Sequence, residues 1–453
     1  SVRGWDDVRF FWRAGRAVLG HLMDFGRKGR NNVGAHKAQG EPGESGAGAN
    51  VGGKIAIVST VQPETHYTRY LYRGLRTIHN NVFLFVDDVP DNDEYIQMHS
   101  DGHVVRAWKP TLNMPVRLSR TAKSAGITLV HLQHEFNMYG GAKGVLTFPL
   151  LIKLLKLKDI QVVVTMHGVV DVRQLDRPFL KTFGIESYAF ILPAVKAVFY
   201  VFYRLVGRMA DSIIVHSTHT KQIYMERYRL SDQKCNVIPI GIDRRPESIG
   251  NKTCDDSASP WRDTLRQARV ILYFGYIVRR KGLEVLLEAY VKAKDYIPGH
   301  VIVLAGGVLD RQEGYIDELK KAATKMGISD NIVFTGFVSQ RNIEYLYSKC
   351  DFVVLPYIYS ISSSLPLSLA LGAGKPVIAS DIGTLRDEIL EMRTGLFFKK
   401  GNADDLAEKM QLLCTDDDLL MRLQLGAREE AEKRSWEGVA RMSSRVYMNS
   451  GGV

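Results

Sequence analysis

Short, continuously apolar runs alternate with longer stretches of helical period along most of this chain. The order begins at KIAIVST (54–60), which reads as a buried strand because β-branched and small apolar residues fill it without a break. A turn at 62–65 and a helix through TRYLYRGLRTI come next. Further strand-like runs are NVFLFV (81–86), HVVRAW (103–108), ITLVHLQ (127–133), QVVVTMH (161–167), DSIIVHS (211–217) and NVIPIG (236–241). Helical patterns intervene, notably GVLTFPLLIKLLKLK (144–158). A second series runs RVILYFG (269–275), HVIVLAGG (300–307), NIVFTGF (331–337), DFVVLPY (351–357) and PVIAS (376–380), with helices expected at 282–296, 312–326, 340–349 and 365–373. Alternating strands and helices of this kind predict a parallel sheet covered by helices on both faces. A polar stretch without strong period, residues 243–262, divides the two series. The expectation is an α/β chain of two Rossmann-like, doubly wound domains, because 453 residues exceed what one core organises.

The ends change this picture little. Residues 1–30 carry Val8, Phe10, Phe11, Ala14, Val18, Leu19 and Leu22 at helical spacing, interleaved with Arg9, Arg13 and Arg16. A Gly- and Ala-rich linker follows, so 1–53 is either a surface anchor or a solvated extension. The chain opens at Ser1 without a methionine, as a fragment or processed form would. The most apolar stretch, AFILPAVKAVFYVFYRLV (189–206), includes Pro193, Lys196 and Arg204 and is expected to be a buried or interfacial helix rather than a span. A net charge of +11 points to an acidic partner: a phosphorylated substrate, an anionic lipid or nucleic acid. The basic positions Lys153, Lys156, Lys158, Lys196 and Arg204 lie among apolar residues, which suits either an anionic membrane surface or plain packing on the sheet. Four cysteines, Cys235, Cys254, Cys350 and Cys414, are widely spaced without a CxxC pair, which argues against a zinc site and a disulfide framework and for reduced thiols in a cytoplasmic setting.

Candidate chemistry concentrates between Val270 and Ser380. The turn after the strand at 269–275 offers Arg279, Arg280 and Lys281 beside Gly275 and Gly282. The turn after 351–357 offers Ser360, Ser362, Ser363 and Ser364 directly before a helix that begins near Leu365 and Pro366. In an open α/β sheet such turns meet at the carboxyl ends of the strands. Cations on one side and a helix N-terminus on the other suit a diphosphate. The fingerprint GxGxxG is absent, which argues against hydride transfer to a dinucleotide.

The order of VHLQHEF-x-x-YGG (130–141), VVVTMHG (162–168), DSIIVHS (211–217), NVIPIGID (236–243), FGYIVRRKG (274–282), LAGG (304–307), IVFTGFVS (332–339) and GAGKPVIASDIGT (372–384) resembles the retaining glycosyltransferases of family four. The resemblance covers about residues 54–445 and implies the GT-B fold: an acceptor domain at 54–243, a donor domain at 244–435 and a final helix at 436–453 that crosses back. It implies Lys281, with Arg279 or Arg280, as diphosphate-binding cations, and His167 as the histidine that approaches the transferred sugar. Gly275, Gly306, Phe337, Val338, Ser362, Ser363, Ser364 and Leu365 would contact the donor. Glu388 would hold a ribose hydroxyl or complement a helix dipole. His134, Glu135, Gly140 and Gly141 would line the acceptor side or pack their own loop. Two departures stand out. The family's arginine five positions before the lysine is Tyr276 here, and its pair of glutamates is replaced by the carboxylate-free segment YIYSISSSLPLSLALGAGKP.

The resulting expectation is a retaining, metal-independent hexosyltransferase with no cofactor beyond its nucleotide diphosphate sugar, GDP-mannose first, acting on a saccharide or lipid-linked acceptor. UDP-glucose or UDP-GlcNAc are the alternative donors. A GT-B epimerase or hydrolase and a non-catalytic binding protein are the alternative functions. Peripheral contact with the inner face of a membrane is expected, and nucleic acid is not an expected partner.

Overall fold

The computed structural model describes residues 53–60, 66–88, 102–135, 138–139, 142–182, 186–243, 261–308 and 312–450. The N-terminal basic segment and Gly140 and Gly141 lie outside the described residues.

The first domain runs β1 Lys54–Val58, α1 His66–Arg76, β2 Val82–Asp87, β3 Val104–Trp108, α2 Met114–Ser124, β4 Ile127–His134, α3 Ala142–Lys156, β5 Gln161–Met166, α4 Arg177–Thr182, α5 Leu192–Met209, β6 Ser212–Val215, α6 Thr218–Tyr228 and β7 Cys235–Val237. Its strands pair in parallel in the order β3-β2-β1-β4-β5-β6-β7. Every residue of β5, QVVVTM, is buried, as a strand covered on both faces requires.

The second domain runs α7 Trp261–Leu265, β8 Arg269–Phe274, α8 Leu283–Ala293, β9 His300–Ala305, α9 Glu313–Lys325, β10 Ile332–Gly336, α10 Gln340–Lys349, β11 Phe352–Leu355, α11 Leu365–Gly372, β12 Val377–Ser380, α12 Gly383–Arg386, β13 Gly395–Phe398, α13 Ala403–Thr415 and α14 Asp417–Lys433. The strands again pair in parallel, in the order β10-β9-β8-β11-β12-β13. The edge strand β13 and the helices α13 and α14 were not among the expected elements. Four residues, GLFF, make a weak strand signal at an edge.

The last helix, α15 Trp436–Asn449, leaves the second domain and completes the core of the first. Trp436, Val439, Ala440, Val446 and Tyr447 join Ile55, Ile57, Leu71 and Leu75 in one buried cluster. Polar contacts fix the same seat: His79 Nε2 lies 2.8 Å from Ser444 Oγ, and Gln161 Nε2 donates to the Tyr447 carbonyl at 3.1 Å. Ser435 caps the helix, its hydroxyl accepting from the Gly438 N–H.

Strand order reverses between β1 and β4 in one sheet and between β8 and β11 in the other. A crevice outside the carboxyl ends is expected at each reversal. The two crevices face one another, and the residues that carry chemistry stand on the loops around them.

Candidate active site

The donor wall is built on β8 and its neighbours. Gly275 follows β8 at φ +137° and Gly306 follows β9 at φ +142°. A Cβ at Gly306 would stand 2.0 Å from the Gly275 carbonyl oxygen, so the floor here is bare backbone. A single 3-10 turn, Arg279–Lys281, then carries the three cations into α8. Gly282 closes that turn at φ +65°, pressed so tightly on the loop after β11 that a Cβ would lie 2.2 Å from the Pro356 oxygen.

In a 3-10 turn successive side chains diverge by about 120°. Lys281 and Arg280 face the cleft. Arg279 turns to α9, where its Nη2 donates to Glu318 Oε1 at 2.6 Å and its guanidinium lies 4.9 Å from the Tyr315 ring centre. The sequence left Arg279 and Arg280 as alternatives; Arg280 is the one on the cleft wall, and Arg279 is corrected to an outward ion pair. Lys281 Nζ sits 3.2 Å above the centre of the Tyr357 ring. Burial, and then the Arg280 charge, hold the Lys281 ammonium well below its ordinary pKa. Burial also lowers Arg280, offset in part by Tyr273, Tyr357 and Glu135. Two adjacent cations in a partly dry wall make this side of the cleft favourable to an anion.

Opposite them stands the serine loop before α11. Ser360 Oγ donates to the Ser362 carbonyl at 2.8 Å. Ser362, Ser363 and Leu365 line the cleft. Ser364 does not: it is buried, at the N-cap of α11, with its hydroxyl 3.2 Å from Tyr357 Oη. The loop also touches the first domain, where the Val169 N–H donates to the Ile361 carbonyl at 3.2 Å and Gly168 pairs with Ser362 in an antiparallel bridge. A Cβ on Gly168 would come within 3.2 Å of that same oxygen, so the small residue after His167 permits the approach.

Glu388 is a second correction. It is not among the residues lining the cleft but is buried behind the serine loop, 3.9 Å from Arg434 Nη2. Burial raises its carboxyl to about 7, against the opposing pull of Arg434, the Ser363 side chain and the Ser364 N–H. The folded pKa lies above the ordinary 4.5, so Glu388 opposes folding progressively as pH rises from 4.5 through 7 and has no such effect below 4.5. Glu388→Gln, which mimics the neutral acid, is therefore expected to be more stable than the wild type at pH 8 by as much as about 3 kcal/mol. Urea titrations should show the two converging below the ordinary carboxylate pKa; a constant offset at all pH values would remove the buried-acid assignment.

The facing wall belongs to the first domain. Along β4 side chains alternate between faces. His131 and Gln133 point to one side, where Tyr447 Oη lies 2.7 Å from His131 Nδ1 and Thr165 Oγ1 lies 2.7 Å from His131 Nε2. His134 points to the other and is buried among Phe148, Phe202 and Tyr139, with ring centres at 4.6, 5.1 and 6.2 Å. His134 is thus corrected from acceptor side to core. Glu135, the next residue, does line the cleft; desolvation raises its carboxyl while Arg280 lowers it.

His167 directly follows β5 and also lines the cleft. His216 Nδ1 must donate to the Ile238 carbonyl at 2.9 Å, so its Nε2 accepts from the His167 Nδ1–H at 3.0 Å when both rings are neutral. Burial, followed by the neighbouring His216, His131 and His134, holds His167 well below the usual imidazole pKa, and the same burial brings His216 down to about 4. In the neutral pair His167 Nε2 is an acceptor, which requires the Gln133 amide, 2.9 Å away, to present its NH₂ there. His167 is thus a neutral, oriented imidazole, with Tyr67 packed edge-on at 4.7 Å.

Together these loops enclose a cleft of about 480 Å³. The expected His167, Arg280, Lys281, Gly275, Gly306, Phe337, Val338, Ser362, Ser363, Leu365 and Glu135 all lie on it. Phe337 stands at the rim, 82% exposed. Sequence reasoning did not single out Tyr67, Gln133, His216 or Trp436. The available signal was that His216 follows β6 as His167 follows β5, on adjacent parallel strands. Among the described residues no three His, Cys, Asp or Glu side chains converge as a metal site. Cys235, Cys350 and Cys414 are buried free thiols.

Two doubly wound domains facing across a cleft define the GT-B class, and solved structures agree. The chain superposes on HepE from Anabaena, crystallised with UDP, with a TM-score of 0.67 at 16% identity, covering 87% of this chain and 99% of that one. The family description "glycosyl transferases group 1" matches residues 262–430, and "glycosyltransferase family 4" matches 65–245. The chain belongs to the group 1, family-four glycosyltransferases. Among curated relatives, an uncharacterized glycosyltransferase of Methanocaldococcus jannaschii is 24% identical over 259 residues, which is 51% of this chain and 65% of the relative. D-inositol 3-phosphate glycosyltransferase of Corynebacterium jeikeium is 26% identical over 240 residues, 52% of this chain and 57% of the relative. The match therefore spans between about half and two-thirds of the length of these two relatives.

Proposed function

We propose that this chain transfers a hexose from a nucleotide diphosphate sugar to an acceptor hydroxyl, with retention and without a metal. The observation that carries this is the pair Lys281 and Arg280, half-buried, facing the start of α11 across one cleft. A diphosphate there relieves the repulsion between the two cations and accepts hydrogen bonds from backbone N–H groups at the helix start. As the sugar leaves, negative charge grows on the diphosphate, where these groups stabilise it without rearrangement. His167, neutral and oriented by His216, stands on the opposite wall, where its Nε2 would exchange the Gln133 amide for a sugar hydroxyl as hydrogen-bond partner. The exposed ring of Phe337 offers a surface for the base.

GDP-mannose is the first donor to test, on the resemblance of the HEF and FGYIVRRKG segments. UDP-glucose is the second, since HepE, which has a similar fold, was crystallised with UDP and with UDP-glucose. The acceptor is a saccharide or lipid-linked hydroxyl. A phosphorylated polyol joins the acceptor panel because the Corynebacterium relative is named for inositol 3-phosphate. The test is nucleoside diphosphate release across GDP-mannose, UDP-glucose and UDP-GlcNAc, with and without chelator, followed by NMR of the product anomer. Release from one donor, unaffected by chelator and with retained configuration, is the expected result. No release and no thermal shift with any nucleoside diphosphate would instead mark a non-catalytic member of the family.

A further inference from the structure

On the side of the first sheet away from α15, three neighbouring helices share an outer face that the cleft does not use. On α5 one side is core: Val195, Phe199, Phe202, Tyr203 and Val206 pack on the sheet. Its opposite side is apolar as well. Val198, Val201 and Leu205 are 39%, 53% and 42% exposed, and Phe190 just before the helix is 61% exposed. The adjacent α3 continues the patch with Leu146, Leu150 and Leu157 at 60%, 45% and 70%. Scattered exposed leucines need no explanation, but a continuous apolar stripe over two packed helices does.

The charges on these three helices have one sign. Neither α2, α3 nor α5 contains an aspartate or glutamate. Arg117, Arg120 and Lys123 are exposed on α2, Lys153 and Lys156 on α3, and Arg208 on α5, with Lys196 and Arg204 half-buried at its flank. Two of these cations are paired, Arg117 with Asp88 and Lys156 with Asp211 at the far end of its helix. The segment Ala189–Met209 is long and apolar enough to cross a membrane by length and composition. Its buried face is committed to the folded core, so it can lie on a bilayer but cannot span one without unfolding the domain. A second copy of the chain is a poor occupant, because a two-fold contact through this face would oppose cation to cation.

We propose that the outer face of α2, α3 and α5 docks on an anionic lipid bilayer, the apolar stripe entering the headgroup boundary and the surrounding cations meeting lipid phosphates. Helices α3 and α5 both start at the sheet edge where β4 and β5 end, so the docked face adjoins the cleft.

Vesicle flotation of the full chain tests this. Residues 1–30 carry their own basic pattern, so substitutions rather than truncation isolate the helical face. The wild type should float with phosphatidylcholine–phosphatidylglycerol vesicles about tenfold more than with phosphatidylcholine alone, and high salt should reduce the difference. The pairs Val201→Asp/Leu205→Asp and Lys153→Glu/Lys196→Glu should each cut binding severalfold with unchanged melting temperature and unchanged nucleotide binding. Equal flotation of wild type and both variants, or equal binding to both vesicle types, would overturn the proposal. So would a dimer in light scattering that Val201→Asp dissolves without any effect of lipid.

Discussion

Lys281→Ala lowers the rate of sugar transfer by about 100-fold or more, the loss seen when one preorganised group is removed from developing charge. The reason is visible in the structure. Lys281 Nζ rests 3.2 Å above the Tyr357 ring, burial and Arg280 depress its pKa, and no carboxylate pairs with it among the described residues. A cation held this way opposes folding slightly and gains its counter-charge only when a diphosphate arrives. Activity and stability should therefore move in opposite directions: the rate collapses while the melting temperature holds or rises. A merely structural lysine would lower both. Lys281→Met, which keeps the hydrophobic stem on Tyr357, guards against a simple packing defect. The depressed pKa adds a second signature, since diphosphate binding favours the charged form and should take up a proton at alkaline pH, measurable as buffer-dependent binding enthalpy. A Lys281→Ala enzyme turning over at the wild-type rate would remove this lysine from the site.

How far the sequence reaches is clearest at this turn. Strand–turn–helix order placed three cations by a phosphate-binding crevice, because apolar period alone locates β8 and α8. It could not separate Arg279 from Arg280, since the divergence of neighbouring side chains depends on the turn being 3-10. Strict alternation on β4 does distinguish His131 and Gln133 from His134, and period two read residue by residue assigns His134 to the core. The hydrogen-bonded series from Tyr447 through His131, Gln133 and His167 to His216 was beyond reach, because its members come from three strands and the last helix. Glu388 was legible as a carboxylate near the site. It lies two residues beyond α12, and its burial against Ser363 and Ser364 is a tertiary contact that no local pattern records.

Arg434→Met is expected to destabilise the protein by about 3 to 5 kcal/mol, the range for breaking a buried ion pair from one side. Arg434 lies between the domains just before α15. Its Nη2 donates to the Ile240 carbonyl at 3.2 Å and its Nη1 to the Glu388 carbonyl at 3.3 Å, while the Glu388 carboxylate stands 3.9 Å away. The backbone returns the contact, the Ile242 N–H donating to the Arg434 carbonyl at 2.7 Å. Removing the guanidinium leaves two buried carbonyls short of a donor and the Glu388 carboxyl without its cation. That carboxyl, already raised to about 7, then climbs further. The sign of the pH dependence follows: relative to wild type, the loss in Arg434→Met grows as pH rises above about 7, where the wild-type carboxyl ionises in the fold and the variant's resists. Below that pH only the lost carbonyl hydrogen bonds remain. Arg434→Met/Glu388→Leu should recover the pH-dependent part and keep the rest, because the uncompensated charge is gone but the carbonyls stay unpaired. Urea unfolding of the four proteins at acid and alkaline pH resolves the two contributions. A single variant as stable as the wild type at pH 8 would show that Arg434 does not hold Glu388 and Ile240 together. The join between the domains would then rest on the apolar seat of Trp436 and Tyr447 and on the loop contacts of Gly168 and Val169 with Ser362 and Ile361.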